Sequence, residues 1–266
     1  MKKIGLALGS GGPKGLSHIG VIKVLEEAGI QIDMIAGSSI GALVGSIYTV
    51  TGNAKKIEEI ALDTNMNTVL SVLFDPTIKL GLIRGKKVTR LFQEIIGDYT
   101  IENLPKKFIA VATDLATGDP IFFEEGNLLD AVRASISIPF MFQPIRKENM
   151  LLVDGGLSLQ VPVEPLKKCG ADIIIAVNLS ENSFKTPKFT GKFVNTPREL
   201  YKVASDSINN LQYSLARENC KNADITVAPD VKDIKWNSFW KPQKAIRRGE
   251  KAMKEKLPEL LKILEE

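Results

Sequence analysis

Gly37-Ser38-Ser39-Ile40-Gly41 follows the pattern Gly-x-Ser-x-Gly. Before it runs an apolar stretch, residues 34–37, that reads as a buried strand. After it runs a mostly apolar stretch, residues 40–50, that reads as a helix. A serine on so tight a strand-to-helix turn exposes its Oγ. Side chains two positions before and after it would crowd the turn, so glycine suits Gly37 and Gly41. The helix that follows points its N-terminus at the serine and favours developing negative charge there. Ser39 is therefore the expected nucleophile of an acyl transfer. Ser38 lacks the flanking glycines and is the weaker choice. A plain Gly/Ser turn is the alternative to both.

A second turn carries Gly9-Ser10-Gly11-Gly12-Pro13-Lys14-Gly15, between an apolar strand at residues 3–8 and a helix at residues 16–28. Backbone N–H groups of such turns receive anions. The anion is either a nucleotide phosphate or the oxyanion formed when a serine attacks an ester. The dinucleotide pattern Gly-x-Gly-x-x-Gly fails in both frames, at Ser10 in one and at Lys14 in the other. The acidic residue expected after the second strand is missing, since Asp33 precedes that strand. A Walker A loop needs Lys followed by Ser or Thr, whereas Lys14 precedes Gly15. The oxyanion reading gains because adjacent turns at one sheet end can converge on one carbonyl.

His18 is the single histidine, so a Ser-His-Asp triad would have to use it. It shares a helix face with Ile22 and Leu25. A packed histidine bonded to backbone near the loop is favoured over a catalytic base. A carboxylate is the other candidate base. Asp154 leaves a strand at residues 150–153 into Gly155-Gly156, a turn that permits close backbone approach. Asp114, at the end of a strand over residues 108–113, is a rival by the same logic. An ordinary Asp, with pKa near ~3.9, is a poor base at neutral pH. Partial desolvation raises it. A turn-forming Asp before glycine is the bland alternative.

Over about residues 4–180 the chain resembles the patatin-like phospholipase family, its compact bacterial members most closely. The resemblance is carried, in order, by Gly15-Leu16-Ser17-His18-Ile19-Gly20-Val21, the Ser39 elbow and Thr113-Asp114-Leu115. Arg133-Ala134-Ser135-Ile136-Ser137-Ile138-Pro139 and Val153-Asp154-Gly155-Gly156 complete it. It implies an α/β fold, with a central mostly parallel sheet flanked by helices in a patatin-like three-layer sandwich. It also implies a Ser-Asp dyad, which fits the single histidine. Ser39 is then the nucleophile and Asp154 the base, with no metal or cofactor. The loop is similar to the family's oxyanion hole, with Ser10-Gly11-Gly12-Pro13-Lys14-Gly15 where the family usually has Gly-Gly-Gly-x-Arg-Gly. Ser10 still offers an N–H. Lys14 keeps the charge but loses arginine's planar fork. Gly11 and Gly12 are the best donors, with Ser10 and Lys14 beside them. Gly15, Gly37, Gly41, Gly155 and Gly156 are the motif glycines. Phospholipids, lysophospholipids or other acyl esters are the implied substrates. The alternatives are a catalytically weak lipid-binding or regulatory protein of the same fold and, behind it, a Rossmann-type nucleotide binder.

Further elements must position these groups. Helices are expected at residues 128–135, from Val161-Pro162 to about 169, at 197–219 and at 249–264. Strands are expected at 173–177 and 225–227, with 120–123 pairing to 108–113. Alternating strands and helices predict a mainly parallel sheet covered on both faces. One domain, residues 1–266, fits best, with its core at about 4–180 and a less clearly matched helical region at about 184–266. Residues 66–82, with Leu70, Leu73, Phe74 and Ile78, either border an acyl groove or pack in the core. Residues 184–196 read as a mobile loop. Trp236, Phe239 and Trp240 beside Lys235 and Lys241 fit a membrane interface, though a packed cluster is the commoner outcome.

At 44% hydrophobic and 25% charged residues, the chain has the composition of a soluble globular protein with a sizeable core. Cys169 and Cys220 form no CxxC pair, which excludes a disulfide framework and argues against a cysteine-built zinc site. The first apolar run is too short for a secretory signal. Residues 34–54 have membrane-span length but too many Ser, Thr and Gly for one. The net charge of +4 equals the excess of nine Lys/Arg over five Glu in residues 235–266. That local bias suits an anionic lipid surface or a solvated helix face. A cytoplasmic protein in transient contact with a membrane surface, with no nucleic-acid partner, is the expectation.

Overall fold

The computed structural model describes residues 2–63, 86–139, 141–181, 196–234 and 242–266. The groove segment at 66–82, the 184–196 loop apart from Thr196, and the Trp236 cluster lie outside the described residues, and Thr196 caps the helix that follows. The strands are β1 (Ile4–Leu8), β2 (Met34–Ser38), β3 (Lys107–Asp114), β4 (Pro120–Phe123), β5 (Ile145–Lys147), β6 (Met150–Asp154), β7 (Ile173–Val177) and β8 (Ile225–Val227). The helices are α1 (Ser17–Glu27), α2 (Ile40–Thr51), α3 (Ala54–Asp63), α4 (Lys86–Ile96), α5 (Leu128–Ser135), α6 (Val163–Lys168), α7 (Pro197–Cys220) and α8 (Pro242–Glu265).

All these strands join one sheet in the order β5-β6-β3-β2-β1-β7-β8, with β4 also on β3. The run from β3 through β8 is parallel, and β4, β5 and β6 are antiparallel. The central strands β1, β2 and β7 are buried along their whole length, which is why they read as unbroken apolar runs. Their side chains alternate between two cores. Leu6, Leu8, Ile35, Phe108, Ile175 and Val177 pack under α1, α2, α5 and α8. Ala7, Ala36, Ile109, Ile174 and Ala176 pack against Val163 and Leu166 of α6 and Ala216 of α7. The result is the expected three-layer sandwich with a mostly parallel sheet.

Register decides where the site forms. Ser38 of β2 lies level with Val111 of β3, and β3 continues past it to Asp114. That overhang pairs with β6, which runs back antiparallel and ends with Asp154 opposite Ala112. The turn after β2 and the end of β6 therefore meet at the same level, across β3. The sequence reading gave no strand before β6. The structure places β5 there, joined to β6 by a turn in which Glu148 has φ 51°.

Helix α8 begins at Pro242, seven positions before the expected start at Gly249. Proline at a first helical position was the readable signal, and Gly249 masked it. Gly249 is an interior contact. A Cβ there would lie 1.9 Å from Ser17 O, and a Cβ on Gly20 would lie 2.0 Å from Ile246 O. Helices α1 and α8 thus touch backbone to backbone, directly behind the glycine-rich loop. Lys23 fastens the same contact at 2.9 Å from both Glu58 and Glu250. Gly249→Ala is expected to destabilise the fold by about 1–3 kcal/mol through overpacking, read as a lower urea midpoint with an unchanged m-value.

Candidate active site

Ser39 sits between β2 and α2 with φ 56° and ψ −122°. A non-glycine residue held there costs about 1–3 kcal/mol. The turn is tight because nothing fills its glycines. A Cβ on Gly37 would lie 2.4 Å from Ala42 N, and one on Gly41 would lie 2.0 Å from Leu8 O. The Ser39 N–H donates to Ser135 Oγ at the end of α5, 2.9 Å away. Its Oγ donates to Asp154 Oδ2 at 2.5 Å. Both residues are 2% exposed, so this hydrogen bond is shielded from solvent. Ser38 points elsewhere and donates to Leu159 O at 2.6 Å.

Asp154 is fixed from several sides. Its N–H donates to Ser137 O at 3.0 Å, and its carbonyl accepts from Thr113 Oγ1 at 2.8 Å. Its second carboxylate oxygen, Oδ1, accepts from Gly156 N–H at 2.8 Å. The turn that follows presses on β3, since a Cβ on Gly155 would lie 2.1 Å from Val111 O. Burial pushes the carboxyl up from 3.8 to about 7, against the opposing pull of the Ser39 and Gly156 hydrogen bonds. Such a group exchanges a proton near neutral pH. Asp114, the rival base, is placed apart from Ser39. Its Oδ1 accepts from Ala116 N–H at 3.2 Å in the turn towards β4.

The glycine-rich loop lies against the elbow. A Cβ on Gly15 would lie 2.3 Å from Ile40 Cγ2, the residue after Ser39. Most of the loop's N–H groups are occupied. Gly9 donates to Val177 O, Ser10 to Gln160 O at 2.9 Å, and Lys14 to Gly11 O at 3.3 Å. Pro13 has none. The N–H groups of Gly11 and Gly12 have no protein acceptor among the described residues. Gly12 holds φ 55°, which glycine adopts without strain. The Lys14 ammonium is desolvated, which lowers its pKa from the usual lysine value.

His18 lies outside the Ser39–Asp154 pair. It is fully buried, and its Nε2 stands 2.8 Å from Gly9 O. A carbonyl only accepts, so Nε2 carries the proton. Nδ1 is buried with no partner among the described residues. Burial pushes the ring down to about 4, outweighing the Gly9 bond, so His18 stays neutral and ties α1 to the loop.

Three residues that hold this arrangement had no role in the sequence reading. Ser135 and Ser137 stand in the Arg133–Pro139 block, with nothing in the sequence to show that one accepts the Ser39 N–H and the other the Asp154 N–H. Gln160 carried no signal at all. No group of His, Cys, Asp and Glu suited to a metal ion occurs among the described residues, and no helix among them is long and apolar enough to cross a membrane.

Asp154 and His18 link stability to pH with opposite signs. Between about 4 and 7 the folded chain keeps a proton on Asp154 that the unfolded chain releases, so stability falls as pH rises. Between about 4 and 6.5 the unfolded chain protonates His18 while the folded chain does not, so stability rises with pH. The two nearly cancel. Asp154→Asn leaves His18 unopposed, and its unfolding free energy should climb by about 1 kcal/mol per pH unit in that window relative to wild type. Denaturant titrations across the window measure this, and parallel profiles would refute the coupling.

A family model for patatin-like phospholipase matches residues 6–167. Among curated proteins, an uncharacterized NTE family protein of Mycobacterium bovis is 41% identical over 179 residues, 67% of this chain and 49% of its own. Lysophospholipase nte1 of Aspergillus fumigatus is 34% identical over 197 residues, 71% of this chain and 13% of its own. The chain thus spans about half or less of the length of these relatives. Among solved structures, VipD from Legionella pneumophila is similar with a TM-score of 0.55 and 15% identity, covering 97% of this chain and 67% of that one. That likeness concerns the fold. The matched span contains the strained Ser39 turn, the Asp154 turn and the loop between β1 and α1, and the chain belongs to the patatin-like phospholipase family.

Proposed function

We propose that this chain is a serine hydrolase that cleaves fatty acyl esters of lipids, with lysophospholipids and phospholipids as the substrate class. The observation that carries this is the 2.5 Å donation from Ser39 Oγ to Asp154 Oδ2, between two residues that are each 2% exposed. Asp154 accepts the Ser39 proton as Oγ attacks the ester carbonyl. The N–H groups of Gly11 and Gly12 receive the oxyanion. Asp154 then returns the proton to the departing alcohol, leaving an acyl group on Ser39. A water molecule, giving its proton to the same carboxylate, attacks the acyl carbonyl, and the carboxyl passes that proton to Ser39 Oγ as the acyl–oxygen bond breaks and the fatty acid leaves. None of these steps calls for a metal or cofactor.

The occupied N–H groups of Ser10 and Lys14 narrow the oxyanion donors to Gly11 and Gly12. A serine in place of the family's glycine at position 10 thus costs no donor in this reading. The lipid class rests on family membership and on the name of the fungal relative, lysophospholipase nte1.

Hydrolysis of nitrophenyl acyl esters and of lysophosphatidylcholine tests the assignment. Ser39→Ala should lower kcat by about 10⁴-fold or more, and Asp154→Asn by about 10³-fold or more. A fluorophosphonate should add one adduct to the wild-type chain, mapped to Ser39, and none to Ser39→Ala. Full activity in Ser39→Ala would sink the proposal. An unlabelled, inactive wild type would favour a lipid-binding role.

The raised Asp154 carboxyl sets a pH profile. The base must be ionised before Ser39 attacks, so kcat/KM should rise with pH through a single step near about 7 and level off above it. A plateau extending down to pH 5 would contradict Asp154 as the base.

A further inference from the structure

Residues 154–160 do more than carry the base. Asp154 accepts from Ser39, Leu159 accepts from Ser38 beside the elbow, and Gln160 grips the glycine-rich loop. That grip is two-sided. Ser10 N–H donates to Gln160 O at 2.9 Å, and Gln160 Nε2 donates to Ser10 O at 3.2 Å. A longer contact runs from Nε2 to Ser180 Oγ at 3.4 Å. Both backbone polar groups of the residue preceding Gly11 are therefore fixed by one side chain and its own carbonyl, from a distant part of the chain.

The amide of Gln160 has one workable orientation. Ser10 O only accepts, so the nitrogen must face it. The oxygen then lies at the seam between loop and base turn. A Cβ on Gly156 would lie 2.6 Å from Gln160 Oε1 and 2.6 Å from Ser10 Oγ. At this seam Oε1 is buried and has no partner among the described residues, and the residue is 2% exposed. A buried acceptor without a partner lowers stability. An apolar side chain would remove that orphan oxygen but would leave Ser10 O without its donor, so stability alone does not select glutamine here.

We propose that Gln160 is a positioning residue of the oxyanion loop. It holds Ser10 so that the N–H groups of Gly11 and Gly12 stay aimed at the reacting carbonyl. This rests on the hydrolase reading above. Oxyanion donors act only when they sit where the charge develops, so a small displacement of the loop weakens the transition state more than the bound ester. The loss should therefore fall on kcat, while KM stays put.

The test uses the full chain, a nitrophenyl ester, and a trifluoromethyl ketone of the same acyl length that forms a tetrahedral adduct with serine. Gln160→Leu removes the amide and its unpartnered oxygen at similar volume. Its melting midpoint is expected to stay close to that of wild type, because the unpartnered Oε1 is exchanged for an unpartnered Ser10 O. Its kcat is expected to fall about 10- to 100-fold, with KM within about twofold. Inhibition by the ketone should weaken by the same factor as kcat/KM. Gln160→Glu, which sets a carboxylate oxygen against Ser10 O, is the second variant and should show the same split. Retained kcat in both variants overturns the proposal. So does a kcat loss accompanied by a lower melting midpoint in both, or by unchanged ketone inhibition. A wild type that neither hydrolyses ester nor takes a phosphonate on Ser39 overturns the hydrolase reading itself, a result separate from an active wild type indifferent to Gln160.

Discussion

The rest of the structure is arranged around one buried hydrogen bond, from the Ser39 hydroxyl to the Asp154 carboxyl. A carboxylate removed from water is destabilised, and the chain limits that penalty with two short donations, from Ser39 to one oxygen and from Gly156 N–H to the other. The balance leaves the group near neutral titration. An exposed Asp would be too weak a base at neutral pH, and a buried Asp without donors would hold its proton too tightly. The site therefore depends on keeping both water and stray charge away while delivering those donors at the right places.

Close backbone contact achieves this. The two partners come from β2 and β6, which are separated in the sheet by β3. At Gly41, Gly37 and Gly155 a side chain would strike backbone within 2.0–2.4 Å. Removing the side chain at these points lets the elbow rest on β1 and the base turn rest on β3. The polar atoms of α5 and the residues just after it then close the arrangement. Ser135 takes the Ser39 N–H, and Ser137 takes the Asp154 N–H. Strain at Ser39 is tolerated because its N–H and Oγ are both held.

The glycine-rich loop obeys the same logic from the opposite side. His18 holds Gly9 O, Val177 holds Gly9 N–H, and Gln160 holds Ser10. Among the described residues, the next two N–H groups lack an internal acceptor. The loop is held by neighbours on α1, β7 and the segment that follows Asp154, with α8 packed against the start of α1 behind them. Among the described residues, His18 and Gln160 each keep one buried polar atom without a protein partner, a local cost of holding the loop.

Sequence alone determined most of the elements and the candidate residues at each turn. Apolar runs bounded by glycine marked β1, β2 and β7, the Gly-x-Ser-x-Gly spacing marked Ser39, and one histidine ruled out a triad that used any other. These are local properties, set by periodicity and by backbone room. The start of α8 was misread because Gly249 looks like a stop locally and is a helix contact in space. Residues alone also left Asp114 and Asp154 as equals, and it took the family's block order to favour Asp154. Only tertiary structure showed why they differ in place, because the overhang of β3 brings β6 back to the level of Ser38. The carboxyl's raised pKa, the occupied N–H of Ser10, and the hydrogen bonds of Ser135, Ser137 and Gln160 were likewise set in space. Burial and hydrogen-bond partnership across a hundred or so residues depend on which strands lie side by side, and no local pattern encodes that.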